Sequence, residues 1–424
     1  MRRALTSVAA GLALAAVALP ALAADFRPLA AYLDDLVSSG KYPGASVLVL
    51  KDGREAYYAQ AGMEDREAAR PLRRDTIFRI YSMTKPVTTA AVMILVDEGK
   101  LRLDDPVTRY IPEFAHLRVY KGMDGDKVLT EPAGPMTIEQ LLTHTAGFSY
   151  IFQPNPVGAL YKKTPLAGDA WRFDPAFKGG DALARTLADL PLVGQPGDHW
   201  HYSMSLDVAA LVVQRASGMS FEDFTRTRIF APLGMRDSGF SVPADKGERL
   251  ASLYARIPGG GLQKTEDGRK SPLLRPLGGF SGGGGLLSTI DDYARFCRML
   301  ADGGVGNGRR ILSRKAVSAM TTNHLTKSQL MEMKLTAAFG LGGEGDGLGF
   351  GYGGAVVTDT VPLGGVGSVG EYAWGGAAST TFWIDPVQHV TVIFMTQVLP
   401  PGPERIRDRL RELTYAALAA PAPK

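Results

Sequence analysis

The order of strand-like and helix-like patterns along the chain predicts a mixed α/β (α+β) fold. In it, one antiparallel sheet is built from both chain ends and flanked by terminal helices, with a mainly helical subdomain inserted between them. Three observations predict it: β-rich runs at both ends, a middle made of helical segments broken by Gly/Pro-rich loops, and a helical period that both opens and closes the globular part. In chain order, Arg27 to Ser39 has helical periodicity and is stopped by Gly40 and Pro43. Ala45 to Leu50 and Glu55 to Ala61 are strands around Lys51-Asp52-Gly53-Arg54, an Asp-Gly turn of the kind that closes a hairpin. Thr76 to Ile80 reads as a third, short strand. Helices follow at Val87 to Glu98, Ile138 to Leu142, Asp181 to Leu190, Ser205 to Ala216, Phe221 to Phe230 and Thr289 to Ala301, the last opened by a capping box at Ser288-Thr289-Ile290-Asp291. The glycine-dense stretch from Gly340 to Gly370 reads as loop, its spacing too irregular for a phosphate loop. Thr380 to Ile384 and Val390 to Val398 are β-rich runs parted by Asp385-Pro386, and Pro403 to Ala419 is a closing amphipathic helix. The sheet portion is then 24–80 plus 341–424 and the helical subdomain 81–340, with the site expected in the cleft between them.

Composition excludes several classes. Of 424 residues, 45% are hydrophobic and 21% charged, enough to bury a large core. The net charge of +4 comes from basic residues scattered among 43 acidic ones, without a basic run, so nucleic acid is not an expected partner. Arg2-Arg3, the apolar stretch from Leu12 to Leu22 and the small-x-small site Ala21-Leu22-Ala23 read as a signal peptide over 1–23, which implies a secreted or periplasmic protein and one catalytic domain over 24–424. No later segment is expected to span a membrane. Cys297 is the only cysteine, which rules out an internal disulfide, and its helical context reads as a buried thiol.

Three serines compete as nucleophile. Ser82-Met83-Thr84-Lys85 follows a β-rich run and opens a long apolar helix, so Ser82 and Lys85, one turn apart, share a face and the amine can reach the hydroxyl. A serine at a helix start gains from the dipole and free N–H groups, and a desolvated lysine can serve as its base. The same four residues would also be produced by an N-cap serine and a solvated first-turn lysine. Ser38-Ser39-Gly40-Lys41 fits the spacing too, but it ends its helix, so its lysine shares no face with Ser38. Gly279-Phe280-Ser281-Gly282-Gly283 has the spacing of a nucleophile elbow, yet no buried strand precedes it and no helix directly follows. The acid and histidine that an elbow would need, Asp385 and His389, lie in a turn between two strands and read as structural. A glycine-rich loop near the cleft is the better reading of that segment.

At Ser82-Met83-Thr84-Lys85 the chain resembles the serine β-lactamase and penicillin-binding-protein superfamily. Leu141-Leu142-Thr143-His144-Thr145-Ala146-Gly147, Gln195-Pro196-Gly197 and Ala231-Pro232-Leu233-Gly234-Met235 look like landmarks of its class C branch. Across Trp200-His201-Tyr202-Ser203-Met204-Ser205-Leu206-Asp207-Val208 it is most similar to the family VIII carboxylesterases. The resemblance implies a β-lactamase/transpeptidase-like fold, attack by Ser82, and proton transfer by Lys85 and Tyr202 acting jointly, with an adjacent ammonium favouring the Tyr202 phenolate. It also implies an oxyanion donor at the Ala377 N–H, with Gly375 and Gly376 letting the backbone approach the acyl group and Trp374 forming pocket wall.

Two departures from the β-lactamase pattern bear on substrate. Met204 stands where those enzymes carry an amide-binding asparagine, and Trp374-Gly375-Gly376 replaces their Lys-Thr-Gly. No Lys or Arg occurs between Lys334 and Arg405, so the strand offers no local cation for an anionic substrate group. The expected function is therefore an exported serine hydrolase cleaving short-chain carboxylic esters, a small-molecule substrate, with no cofactor and no metal. The alternatives are a β-lactamase or D-amino-acid peptidase, an acyltransferase, and a non-catalytic cell-wall-binding protein of the same fold. His199 and His201 are expected at the cleft entrance or surface, without acidic neighbours to complete a zinc pattern, and His144 is expected to be structural.

Overall fold

The structure is a computed structural model that describes residues 24–167, 172, 180–275, 277–336 and 347–419, so the expected leader over 1–23 lies outside the described residues. Its strands are Gly44–Lys51 (β1), Arg54–Asp65 (β2), Arg70–Pro71 (β3), Leu348–Phe350 (β4), Ala355–Val357 (β5), Tyr372–Gly375 (β6), Thr381–Asp385 (β7) and Val390–Met395 (β8). They form one antiparallel sheet in the order β4-β5-β6-β7-β8-β1-β2-β3. The two chain ends meet where Ser46 pairs with Met395 and Lys51 with Val390. Asp52 and Gly53 both take positive φ, 52° and 70°, the geometry an Asp-Gly hairpin turn requires.

The central strands are covered on both faces, which is why β1 and β8 are apolar at almost every position instead of alternating. The pleat still sorts them. Val47, Val49, Val392 and Phe394 join one core with Leu29, Leu33 and Leu36 of the helix Arg27–Ser38 (α1) and with Leu410 and Leu413 of the C-terminal helix. Leu48, Leu50, Ile393 and Met395 join a second, larger core on the other face. There they share one core with Thr84–Asp97 (α2), Ser205–Ser217 (α3) and Ile290–Ala301 (α4), of which α4 lies on β8 and β1 and α3 on α2, with Ile406–Ala419 (α5) left on the α1 side. Helix α2 is buried from Thr84 to Leu95, as expected of a helix apolar nearly all round. Thr289 caps α4 by accepting from the Asp292 N–H at 3.2 Å.

Several expectations change. Thr76 to Ile80 contributes only Phe78–Arg79, which pairs with Leu287–Ser288 outside the main sheet, because Ile77 and Leu287 belong to a separate small core with Leu250 and Leu273. The glycine-dense stretch contains β4 and β5, and the glycines around these strands pack closely: a Cβ on Gly353 would collide with Thr89 of α2. The region read as helical carries three hairpins among the described residues, Arg118–Asp124 with Lys127–Pro132, Leu253–Arg256 with Leu262–Glu266, and the short Val305–Gly306 with Arg309–Arg310. The helix expected over Phe221 to Phe230 runs as α-helix to Thr225 and then as a π-helical turn to Phe230. Among the described residues no helix is long and apolar enough to cross a membrane.

Candidate active site

The chain enters α2 through a forced turn. Ile80 donates to the Leu286 carbonyl at 3.1 Å, Tyr81 adopts φ 42°, and Tyr81–Met83 form a single 3₁₀ turn before Thr84 starts the helix. Positive φ costs a tyrosine roughly 1–3 kcal/mol, so its surroundings must hold it. They do so through the Thr84 hydroxyl, which donates to the Tyr81 carbonyl at 2.6 Å and accepts from the Leu286 N–H at 3.0 Å. The result is a half-buried Ser82 at the mouth of α2.

Ser82 Oγ lies 3.1 Å from Lys85 Nζ and 2.7 Å from the Tyr202 hydroxyl. Lys85 and Tyr202 are buried, so of the three groups the serine is the most open to solvent. The amine also donates to the Gly283 carbonyl at 2.7 Å, and it sits 4.5 Å from the centre of the Tyr202 ring and 5.6 Å from that of Tyr150. Burial pushes the Lys85 amine down to about 7, with Asp207 opposing the shift. Burial also pushes the Tyr202 phenol above its ordinary value, opposite to the direction that an adjacent ammonium alone would give. Near neutral pH the amine is thus the group poised between two protonation states.

Strand β6 supplies the second wall. Trp374 is buried with its ring centre 5.8 Å from that of Tyr202 and 5.3 Å from that of Phe350, so it backs the phenol. Gly375 points the other way: a Cβ there would lie 3.0 Å from Arg407 of α5, on the reverse face of the sheet from Trp374. A cation therefore does approach this strand, from a helix far along the chain and on the side away from Tyr202, which counting basic residues between Lys334 and Arg405 could not reveal. Gly376 abuts the segment before the serine, because a Cβ there would collide with the Ile80 carbonyl. Neither the Ser82 nor the Ala377 N–H donates to another described residue. Met204 is buried at the start of α3, its N–H on the Ser149 carbonyl at 3.2 Å.

The remaining candidates are set apart from this cluster. Ser38 is exposed at the end of α1. Ser281 donates to the Asp207 carboxylate at 2.6 Å, while Asp385 accepts from the Val387 and Gln388 N–H groups at 2.9 Å each and from Tyr415, holding the β7–β8 turn. His144 packs its ring 4.8 Å from that of Tyr202 and places Nδ1 3.3 Å from Ser203 Oγ, His201 lies 3.3 Å from Asn155, and His199 is exposed. Cys297 is buried. Among the described residues no three His, Cys, Asp or Glu side chains gather as a metal ion would require. Sequence reasoning placed the glycine-rich segment ending at Gly283 near the cleft without giving Gly283 a role, and it missed Tyr150, for which no local signal exists, and Asp207. The last did leave a trace: a lone acid in the apolar run Leu206 to Val213.

Comparison with known proteins places this geometry. Residues 29–417 match the family model described as Beta-lactamase. The chain belongs to the beta-lactamase family. Within that family, an uncharacterized protein of Mycobacterium tuberculosis (strain CDC 1551) is 38% identical over 375 residues, covering 87% of this chain and 89% of its own. Esterase EstB of Burkholderia gladioli is 32% identical over 420 residues, covering 93% and 97%. Among solved structures, unliganded simvastatin synthase (LovD) from Aspergillus terreus superposes with a TM-score of 0.78 at 24% identity, covering 93% of this chain and 97% of that one, a likeness of fold. The β-lactamase-like fold expected from the Ser82 and Tyr202 motifs is the fold observed, and a hydrolase of this family is what these likenesses support.

Proposed function

We propose that the protein is an exported serine hydrolase that cleaves short-chain carboxylic esters through an acyl-enzyme on Ser82. The observation that carries this reading is the sharing of one accessible hydroxyl, Ser82 Oγ, by a buried amine at 3.1 Å and a buried phenol at 2.7 Å. In the neutral amine, one N–H is spent on the Gly283 carbonyl, which leaves the lone pair free to take the serine proton as Oγ attacks the ester carbon. The carbonyl oxygen becomes an oxyanion facing the undonated N–H groups of Ser82 and Ala377. Collapse expels the alcohol, which receives a proton by way of Tyr202, and water then enters by the same route in reverse to release the acid. Trp374 shapes the wall behind the phenol, and Gly376 lets the end of β6 close on the serine segment.

The preference for neutral esters rests on Met204, which offers no amide recognition, and on the position of Arg407 behind the sheet. Losing one charge-assisted hydrogen bond to an anionic substrate forfeits roughly 1.5–3 kcal/mol, a factor of about ten to a hundred or more in binding. Accordingly, kcat/KM for p-nitrophenyl butyrate should exceed that for a chromogenic cephalosporin. A fluorophosphonate should label Ser82 and be lost in Ser82→Ala, yet persist in Ser38→Ala and Ser281→Ala. Preference for the cephalosporin, or a label mapped to Ser281, overturns the assignment. Export rests on Arg2-Arg3 and Ala21-Leu22-Ala23, and secreted protein should begin at or next to Ala24.

A further inference from the structure

The motif that failed as a nucleophile elbow has another use. Its turn, Ser281 to Gly284, lies between α2 and α3 and is pinned from both. Thr88 of α2 donates to the Gly282 carbonyl at 2.6 Å, while Asp207 of α3 accepts from the Ser281 hydroxyl at 2.6 Å and from the Gly283 N–H at 3.0 Å. The glycines are required by the closeness of the fit. A Cβ on Gly282 would collide with Ala210, and one on Gly283 with the Asp207 carboxylate and, at 2.8 Å, with the Tyr150 hydroxyl. The two peptide units that flank the Gly283 Cα are thus each held, the first by its N–H on Asp207 and the second by its carbonyl on Lys85.

From this geometry we propose that Asp207 is a positioning residue for the ester hydrolysis. It fixes the glycine turn whose Gly283 carbonyl aims the Lys85 amine at Ser82, and it brings a buried carboxylate to that turn. The proposal rests on the reading of Lys85 as the seat of the serine proton. The chemistry is specific to a carboxylate. One oxygen accepts two hydrogen bonds while the side chain remains buried without an ion-pair partner in contact among the described residues, a costly arrangement for a purely structural cap. Other groups face the amine as well. Tyr202 and Tyr150 present their rings and Ser82 its hydroxyl, His144 is held neutral by burial, and the Arg172 guanidinium acts electrostatically on Asp207. Asp207 is the anion among them, and its field on Lys85 is upward.

The experiment is the pH profile of kcat/KM on p-nitrophenyl butyrate for the full chain and three variants. Wild type should show an acid limb near pH 7. Asp207→Asn keeps an oxygen that can accept both donors but removes the charge, so the limb should move to lower pH by about one unit. Asp207→Ala also orphans the Gly283 N–H and should lower the plateau kcat about tenfold or more, with KM changed much less. Ser281→Ala weakens the carboxylate's hold and should shift the limb in the same direction as Asp207→Asn by a smaller step, which keeps the test alive if the Asp207 variants fail to fold. A limb and plateau unchanged in Asp207→Asn and Ser281→Ala, with only the unfolding temperature lowered, overturns the role of Asp207. Absence of any acid limb in wild type, or activity retained by Lys85→Ala, instead overturns the reading of Lys85 on which it rests.

Discussion

At the scale of single residues, the site stores an electrostatic cost that can be measured without any substrate. The folded protein holds the Lys85 amine at about 7, whereas the unfolded chain titrates near 10.5. Between those values the unfolded chain binds the proton and the folded one does not, so the contribution of Lys85 makes stability rise with pH across that window. Below it both states are protonated and the full cost of burying the charge is carried. Lys85→Met should therefore raise the thermal unfolding midpoint by several degrees at pH 6, the gain shrinking toward zero as pH approaches 10.5, while ester turnover is lost. A gain that is constant with pH would contradict the burial argument. This pair was legible in the sequence because both members sit on one helical turn. Tyr202 was not, since the 120 residues separating it from Ser82 are closed only by the fold, and it was the resemblance that singled it out. Asp207 escaped because an acid's burial depends on a turn some seventy residues away, on the order of the separations that local pattern cannot reach.

Among elements, strands carried by β-branched runs were legible and strands carried by glycine were not. β1, β7 and β8 follow from Val, Ile, Thr and aromatic residues and β2 from Tyr57-Tyr58 after the Asp-Gly turn, whereas β4 and β5 sit among glycines fitted to partners distant in sequence, Gly349 to Asn323, Gly351 to Met320 and Gly353 to Thr89 of α2. The same rule separates two adjacent glycines at the end of β6. At Gly376 an added methyl meets the Ile80 backbone, which cannot move without displacing the turn into Ser82; at Gly375 it meets the far end of the Arg407 side chain and, at 3.2 Å, the Thr380 carbonyl. Gly376→Ala should therefore depress kcat on p-nitrophenyl butyrate severalfold or more, and Gly375→Ala much less, the two being compared at matched unfolding midpoints. Equal losses would mean that the end of β6 does not control the serine. The π-helical turn at Arg226–Phe230 and the hairpins of the inserted region had no counterpart in the pattern of apolar residues, because their partners are set by tertiary packing.

For the molecule as a whole, the plan of a sheet drawn from both ends was readable from where the β-rich runs lie, but the order of its strands was not. That order puts β8 between β7 and β1, so the last strand made is the one that joins the C-terminal half of the sheet to the N-terminal hairpin. Chains ending at residue 389 should lack an assembled Ser82 site and remain insoluble or protease-sensitive, although Ser82, Lys85 and Tyr202 are all present, as limited proteolysis and fluorophosphonate labelling would show. A soluble, labelled product would mean that the hairpin and helices organise the serine unaided. Time is the hidden variable in this arrangement. Ser46 waits for Met395, about 350 residues later, which at typical synthesis rates of 5–20 residues per second is roughly 20–70 s with one side of β1 open. The nascent chain is thus obliged to stay unfinished until its final strand emerges, and its vulnerability to aggregation is concentrated in that interval instead of in the mature fold.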